Sequence, residues 1–176
     1  LIALQRQLSG GIEGVVGTEM SNLGLENAFR DRKISFSRAK VGDRYVKQMM
    51  RDRRWTLGGE SSGHIICGDV TTTGDGIVAA LQVLYALDCL GCSLRDALKG
   101  MQKYPQYLIN VPYFSSSLIE DPSIVKELNT IREKLGNSGR VLLRPSGTEP
   151  VIRVMVEAEN AKEARSACEQ LAKKIK

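Results

Sequence analysis

Aromatic residues are scarce, at 5% of the 176 residues, and histidine occurs once, at His64. No apolar run reaches the roughly 20 residues a membrane-spanning helix needs. The best stretch, GIVAALQVLYALDCLGC, is shorter and carries Gln82 and Asp88, so no membrane is expected. Neither an initiator Met nor a signal-peptide pattern is present. Leu1 opens directly into LIALQRQL, the middle of an amphipathic helix, which leads us to expect a piece of a longer protein. Cysteines are few: Cys67, Cys89, Cys92 and Cys168. Cys89 and Cys92 form a single C-x-x-C with no second pair, and His64 is distant, which argues against zinc. Buried, reduced thiols at a helix end are the expectation, and a cytoplasmic location follows from it.

What is present fits a soluble globular chain, with 42% hydrophobic and 26% charged residues. The formal charge of +5 and pI near 9.1 favour an anionic partner. Scattered Lys and Arg with few aromatics offer no stacking platform, so no nucleic acid is expected. Small phosphorylated metabolites fit better.

The periodicity divides the chain in two. Up to about residue 104, strands alternate with helices. Strands are expected at Ile12 to Val16, in KISFSRAK and on either side of GGESSGH. Helices are expected at Asn22 to Asp31, Asp43 to Arg51, after TTTGDG (with Asp75 as cap) and in SLRDALKGM. That order predicts an α/β fold, a three-layer α/β/α domain over residues 1–104 with a mostly parallel sheet. A boundary is placed near Tyr104 to Gln106. Residues 107–176 then read β-α-β-β-α, a small α+β domain. Its elements are a strand from Tyr107 to Tyr113, a helix starting at Asp121-Pro122, strands VLLR and VIRVMVEA, and a last helix opened by Asn160 and Glu163. Ile124, Leu128, Ile131 and Leu135 should line one helix, and Ala161, Ala164, Cys168, Leu171 and Ile175 the other.

One loop concentrates chemistry: LLRPSGTEPVIR, Leu142 to Arg153. Ser146, Gly147 and Thr148 can aim backbone N–H groups and two hydroxyls at one point, an anion-binding nest. Arg144 and Arg153 flank it, and a guanidinium grips phosphate oxygens through paired bonds. Glu149 suits the task of holding an arginine. The bland alternative is a hairpin turn with surface arginines.

RPSGTEPVIR resembles the phosphate-binding loop of the last domain of the α-D-phosphohexomutases. GESSGH, Gly59 to His64, is similar to that family's sugar-binding loop, and AKVGD, Ala39 to Asp43, to the loop preceding it. The resemblance covers essentially the whole chain and identifies it with the third and fourth domains, the fourth being TATA-box-binding-protein-like. VVGTEMSNLGLE, RAKVGDRYV and TTTGDGIVAALQVL look most like the bacterial phosphoglucosamine mutase branch.

The resemblance implies interconversion of glucosamine 6-phosphate and glucosamine 1-phosphate through a phosphoserine and glucosamine 1,6-bisphosphate. In this implied scheme Glu60 and Ser62 bind sugar hydroxyls, and Lys40 and His64 are the catalytic candidates. Arg144, Ser146, Gly147, Thr148 and Arg153 hold the non-reacting phosphate. Mg²⁺ is implied for the full-length enzyme, yet no Asp-x-Asp-x-Asp run exists here, so no metal ligand is assigned. The partners implied are a hexosamine phosphate and the missing N-terminal domains, and the piece alone should not turn over. Phosphoglucomutase or phosphomannomutase activity is the alternative within the family. A stand-alone sugar-phosphate binding module is the alternative outside it, and needs a natural chain starting at Leu1.

Overall fold

The computed structural model describes residues 1–112, 116–147 and 149–176. The chain forms two compact units, Leu1–Gln102 and Lys103–Lys176.

In the first unit the order is α1 (Ile2–Leu8), β1 (Gly14–Thr18), α2 (Leu23–Asp31), β2 (Ser35–Ala39), α3 (Asp43–Arg53), β3 (Leu57–Gly59), β4 (Ile65–Cys67), α4 (Gly76–Leu90) and α5 (Leu94–Leu98). The sheet runs β2-β1-β3-β4, with β1 parallel to β2 and β3 and only β4 antiparallel. Strand alternation sends neighbours to opposite faces. Val15, Leu57 and Cys67 pack with Ile2 and Ala3 of α1, while Val16, Ala39 and Ile66 pack with Val46 and Met50 of α3. Helices therefore cover both faces, the three-layer arrangement expected.

β1 begins and ends two residues later than the apolar pattern suggests. Gly17 and Thr18 look like turn residues, but pairing with Arg38 and Ala39 of β2 keeps them extended. The helix starts follow their caps. Asn22 Oδ1 accepts the Gly24 N–H at 3.0 Å, and Asp75 Oδ1 accepts from Ile77 and Val78 at 2.8 and 3.0 Å.

The second unit contains β5 (Gln106–Pro112), a 3₁₀ turn (Ser116–Glu120), α6 (Pro122–Leu135), a second 3₁₀ turn (Gly136–Ser138), β6 (Gly139–Pro145), β7 (Val151–Ala158) and α7 (Ala161–Ile175). Its antiparallel sheet has the order β5-β7-β6. Tyr113, expected as the end of the first strand, lies outside the described residues. The core joins Ile152, Val154, Val156 and Ala158 of β7 to Ile124, Leu128, Ile131 and Leu135 of α6. Ala164, Cys168, Leu171 and Ile175 of α7 complete it together with Ala167 and Ala172, but Ala161, the first residue of the helix, is exposed. Asn160 caps α7 through the Lys162 N–H at 2.8 Å, one residue short of the partner a capping box would use.

The thiols depart from expectation. Cys67 and Cys168 are buried, but Cys89 is exposed and Cys92 intermediate. The last turn of α4 turns its Cys89 side to solvent, leaving Ala79 and Ala86 as the buried residues of that helix. Burial pushes the Cys67 thiol up, and pushes Cys168 up to about 11. Thiolate is the reactive form. A thiol reagent near neutral pH is thus expected to modify Cys89 first, while Cys67 and Cys168 react only once denaturant is added. Mass mapping of the modified chain checks this, and early labelling of Cys168 would contradict the packing described.

Candidate functional site

Three parallel strands carry the first group of candidates. Because β1 lies between β2 and β3 and all run the same way, the segments after Thr18, Ala39 and Gly59 leave the sheet at one edge. Chain order reverses there, from β1 to β2 on one side and to β3 on the other. Such carboxyl-end crevices are where open α/β sheets bind ligands. Lys40 emerges exposed from this edge, directly after Ala39, which is 2% exposed.

Arg38, which the sequence did not single out, fixes this edge. Its Nη1 donates to the carbonyls of Thr18 and Ser21 at 3.0 and 2.6 Å, and its Nε and Nη2 donate to Glu26 Oε2 at 3.0 and 2.7 Å. The Glu19 N–H also donates to the Ala39 carbonyl at 2.9 Å, tying the β1 turn to the end of β2. The sequence signal was weak: one arginine in an alternating strand, whose partners lie 12 to 20 positions away.

Glu60 to His64 form a tight turn between β3 and β4. The Glu60 N–H donates to the His64 carbonyl at 3.0 Å and the Gly63 N–H to the Glu60 carbonyl at 3.2 Å. Gly63 has φ +98°, a conformation that side chains with a Cβ rarely adopt, so glycine is required for the fold-back. The turn brings three side chains together. His64 Nδ1 lies 3.0 Å from Glu60 Oε1 and 3.0 Å from Ser62 Oγ. Glu60 is the sheltered member and His64 about half exposed. An apolar cavity of about 330 Å³, lined by Val15, Phe29, Phe36 and Val83, reaches Glu60. Its hydrocarbon walls suit no phosphate, so the polar chemistry belongs to the turn itself.

The second group lies on β6 and β7. Antiparallel register sets Arg144 directly opposite Arg153, with Asn110 of β5 opposite Arg153 on its other side. Directly opposed residues share a face, so Asn110, Arg153 and Arg144 form one polar row. The helices cover the other face, through Ile152 and Val154. Two like charges directly opposed are unfavourable, and an anion between them reverses the sign. Arg153 Nη2 donates to Glu149 Oε2 at 3.2 Å, the arginine-holding role expected of Glu149. Arg153 Nε is buried with no hydrogen-bond partner among the described residues. Asn110 was missed because its place in the row follows from strand pairing, which no local pattern reveals.

One expectation about this loop fails. The Ser146 backbone N–H does not face an anion: it donates to the Val151 carbonyl at 2.8 Å and closes the hairpin. The Val151 N–H is likewise held by the Glu149 carbonyl at 2.8 Å. A backbone nest built on Ser146 is therefore ruled out, and the loop's binding capacity rests on side chains and on Gly147, where a Cβ would meet nothing within 4 Å. Thr148 lies outside the described residues. Among the described residues no three His, Cys, Asp or Glu side chains cluster as metal ligands.

Comparison with known proteins agrees with this geometry. Residues 1–104 match the family described as "Phosphoglucomutase/phosphomannomutase, alpha/beta/alpha domain III". Residues 108–174 match "Phosphoglucomutase/phosphomannomutase, C-terminal domain". The chain belongs to the phosphohexomutase family and corresponds to its two C-terminal domains. Curated relatives named phosphoglucosamine mutase, from Cellvibrio japonicus and Pseudomonas paraeruginosa, are each 54% identical over 98% of this chain. The chain spans only 39% of the length of either. Among solved structures, an Aspergillus fumigatus N-acetylphosphoglucosamine mutase in complex with GlcNAc-6P and magnesium superposes with a TM-score of 0.81 at 19% identity. It is covered over 44% of its chain, against 99% of this one. An N-acetylglucosamine-phosphate mutase in its substrate complex gives 0.82 at 20% identity, over 42% of its chain and 99% of this one. At such identities the likeness concerns the fold.

Proposed function

We propose that this chain is the substrate-gripping C-terminal part of a phosphoglucosamine mutase, an isomerase that interconverts glucosamine 6-phosphate and glucosamine 1-phosphate. The observation that carries it is the placement of Arg144 directly opposite Arg153 on one sheet face, where two guanidinium groups can grip one anion. The 54% identity to relatives bearing that name supports the amino sugar over glucose or mannose.

In this reading Arg144, Arg153 and the Ser146–Thr148 turn hold the phosphate that is not reacting. Glu60 and Ser62 meet two ring hydroxyls. Each hydroxyl both donates and accepts, so an acceptor and a donor side by side serve the sugar in either direction, as transfer through glucosamine 1,6-bisphosphate demands. Lys40 supplies a point charge to phosphate, and His64 an imidazole beside the sugar that can give or take a proton through a ring nitrogen. Phosphoryl transfer depends mainly on position and charge, so these grips act on rate. The phosphoserine and the Mg²⁺ ligands belong to the preceding domains of the whole protein, whose setting is cytoplasmic.

Titration of the chain with glucosamine 6-phosphate, followed by amide chemical shifts, tests the proposal. Shifts at Gly59 to His64 and at Arg144 to Arg153, saturating at lower concentration than with glucose 6-phosphate, are the expected outcome. A response to glucose 6-phosphate at equal or lower concentration moves the assignment to phosphoglucomutase. Shifts with inorganic phosphate alone leave a phosphate grip without a sugar site. Binding to DNA or RNA with a steep salt dependence would sink the reading altogether.

A further inference from the structure

The contacts of His64 settle more than its position. Its Nδ1 is 3.0 Å from a carboxylate oxygen of Glu60 and 3.0 Å from the Ser62 hydroxyl oxygen. A neutral imidazole carries one proton, on Nδ1 or on Nε2. With the proton on Nε2, the Nδ1 lone pair would face the Glu60 oxygen at hydrogen-bond distance, lone pair against lone pair. Ser62 could donate to Nδ1 in that form, but one neutral hydrogen bond does not offset an unpaired approach to a sheltered carboxylate. With the proton on Nδ1, Glu60 receives a charge-assisted bond of ordinary length.

We infer that Glu60 is a positioning residue for His64, fixing the ring as the Nδ1–H tautomer and leaving Nε2 as its acceptor atom. Two consequences follow for the turn. The Ser62 hydroxyl is not needed as a donor inside the loop, so its hydrogen is available to a ligand. The second oxygen of Glu60 remains an acceptor. The turn therefore presents acceptor, donor and acceptor groups, from Glu60, Ser62 and His64 Nε2, toward hydroxyls that can each give and take a hydrogen bond. The use of Nε2 toward a sugar hydroxyl rests on the function proposed above; the tautomer does not.

Since His64 is the one histidine of the chain, a two-bond ¹H–¹⁵N correlation spectrum shows a single ring pattern. At about pH 8.5, well above the ordinary histidine range near 6.5, the expected pattern has Nδ1 at the protonated position and Nε2 at the unprotonated one. Glu60→Ala is expected to move the proton to Nε2, exchanging the two ¹⁵N positions as Ser62 becomes the donor. Glu60→Asp restores part of the original pattern, and Ser62→Ala leaves it unchanged. A wild-type ring protonated on Nε2 overturns the inference, as does a pattern that Ser62→Ala changes and Glu60→Ala does not. Adding glucosamine 6-phosphate to the same sample separates the two ideas. A correct tautomer with no response to the sugar phosphate retains the positioning role and removes the proposed substrate.

Discussion

Arg153→Ala is expected to weaken binding of inorganic phosphate and of glucosamine 6-phosphate by about 10- to 100-fold, with no loss of thermal stability. The binding term comes from removing charge-assisted hydrogen bonds, worth about 1.5–3 kcal/mol. The stability term has three parts with different signs. The half-exposed pair with Glu149 contributes at most about 1 kcal/mol, because solvent screens it. Against that, the direct opposition to Arg144 costs about 0.2–1 kcal/mol. The buried Nε, without a hydrogen-bond partner among the described residues, costs roughly 1–3 kcal/mol more. The costs outweigh the gain, so the truncated chain holds its midpoint or rises slightly. Arg153→Lys keeps the charge without the two-pronged grip and is expected to fall between wild type and Arg153→Ala. Calorimetric titration together with a thermal melt reads both terms on one sample. A variant that lost binding and stability together would make Arg153 a structural residue, and the row of arginines would lose its functional meaning.

That row also shows where reading the sequence stops. The loop, its arginines and the holding role of Glu149 were visible in RPSGTEPVIR because turn residues and charges lie close together along the chain. The alternation of strands and helices was equally visible, since a period of 2 or 3.6 is a local property. Contacts set by register were not. Arg38 reaches back to Thr18, Ser21 and Glu26, and Asn110 joins Arg153 only through pairing of β5 with β7. The Ser146 error has the same origin. From sequence its N–H looks available to an anion, whereas the hairpin-closing bond from Ser146 to the Val151 carbonyl consumes it. Cys89 was misjudged for another reason. The apolar composition of α4 suggests burial all round, but Ile77, Leu81, Leu84 and Tyr85 lie 55–75% exposed together with it, so its apolar character does not report which side meets the sheet.

Arg140→Ala is expected to produce the largest loss of stability, about 3–5 kcal/mol in the second unit. Glu157 is fully buried on β7, directly opposite Arg140 on β6, and accepts from Arg140 Nε at 2.8 Å. A buried pair of this kind adds little net stability when intact, since removing both ions from water offsets their attraction. Removing one member has a different outcome, because the guanidinium goes and the carboxylate stays in the interior. A domain stable by about 5–15 kcal/mol loses a large share of that margin. The double variant Arg140→Met, Glu157→Met removes both charges and is expected to recover most of the loss. Chemical denaturation of the three chains decides it. If Arg140→Ala costs under about 1 kcal/mol at neutral pH, like an exposed pair, the Glu157 carboxylate is solvated, and the face of the sheet carrying Glu157, Met155 and Arg153 is open to water along its length.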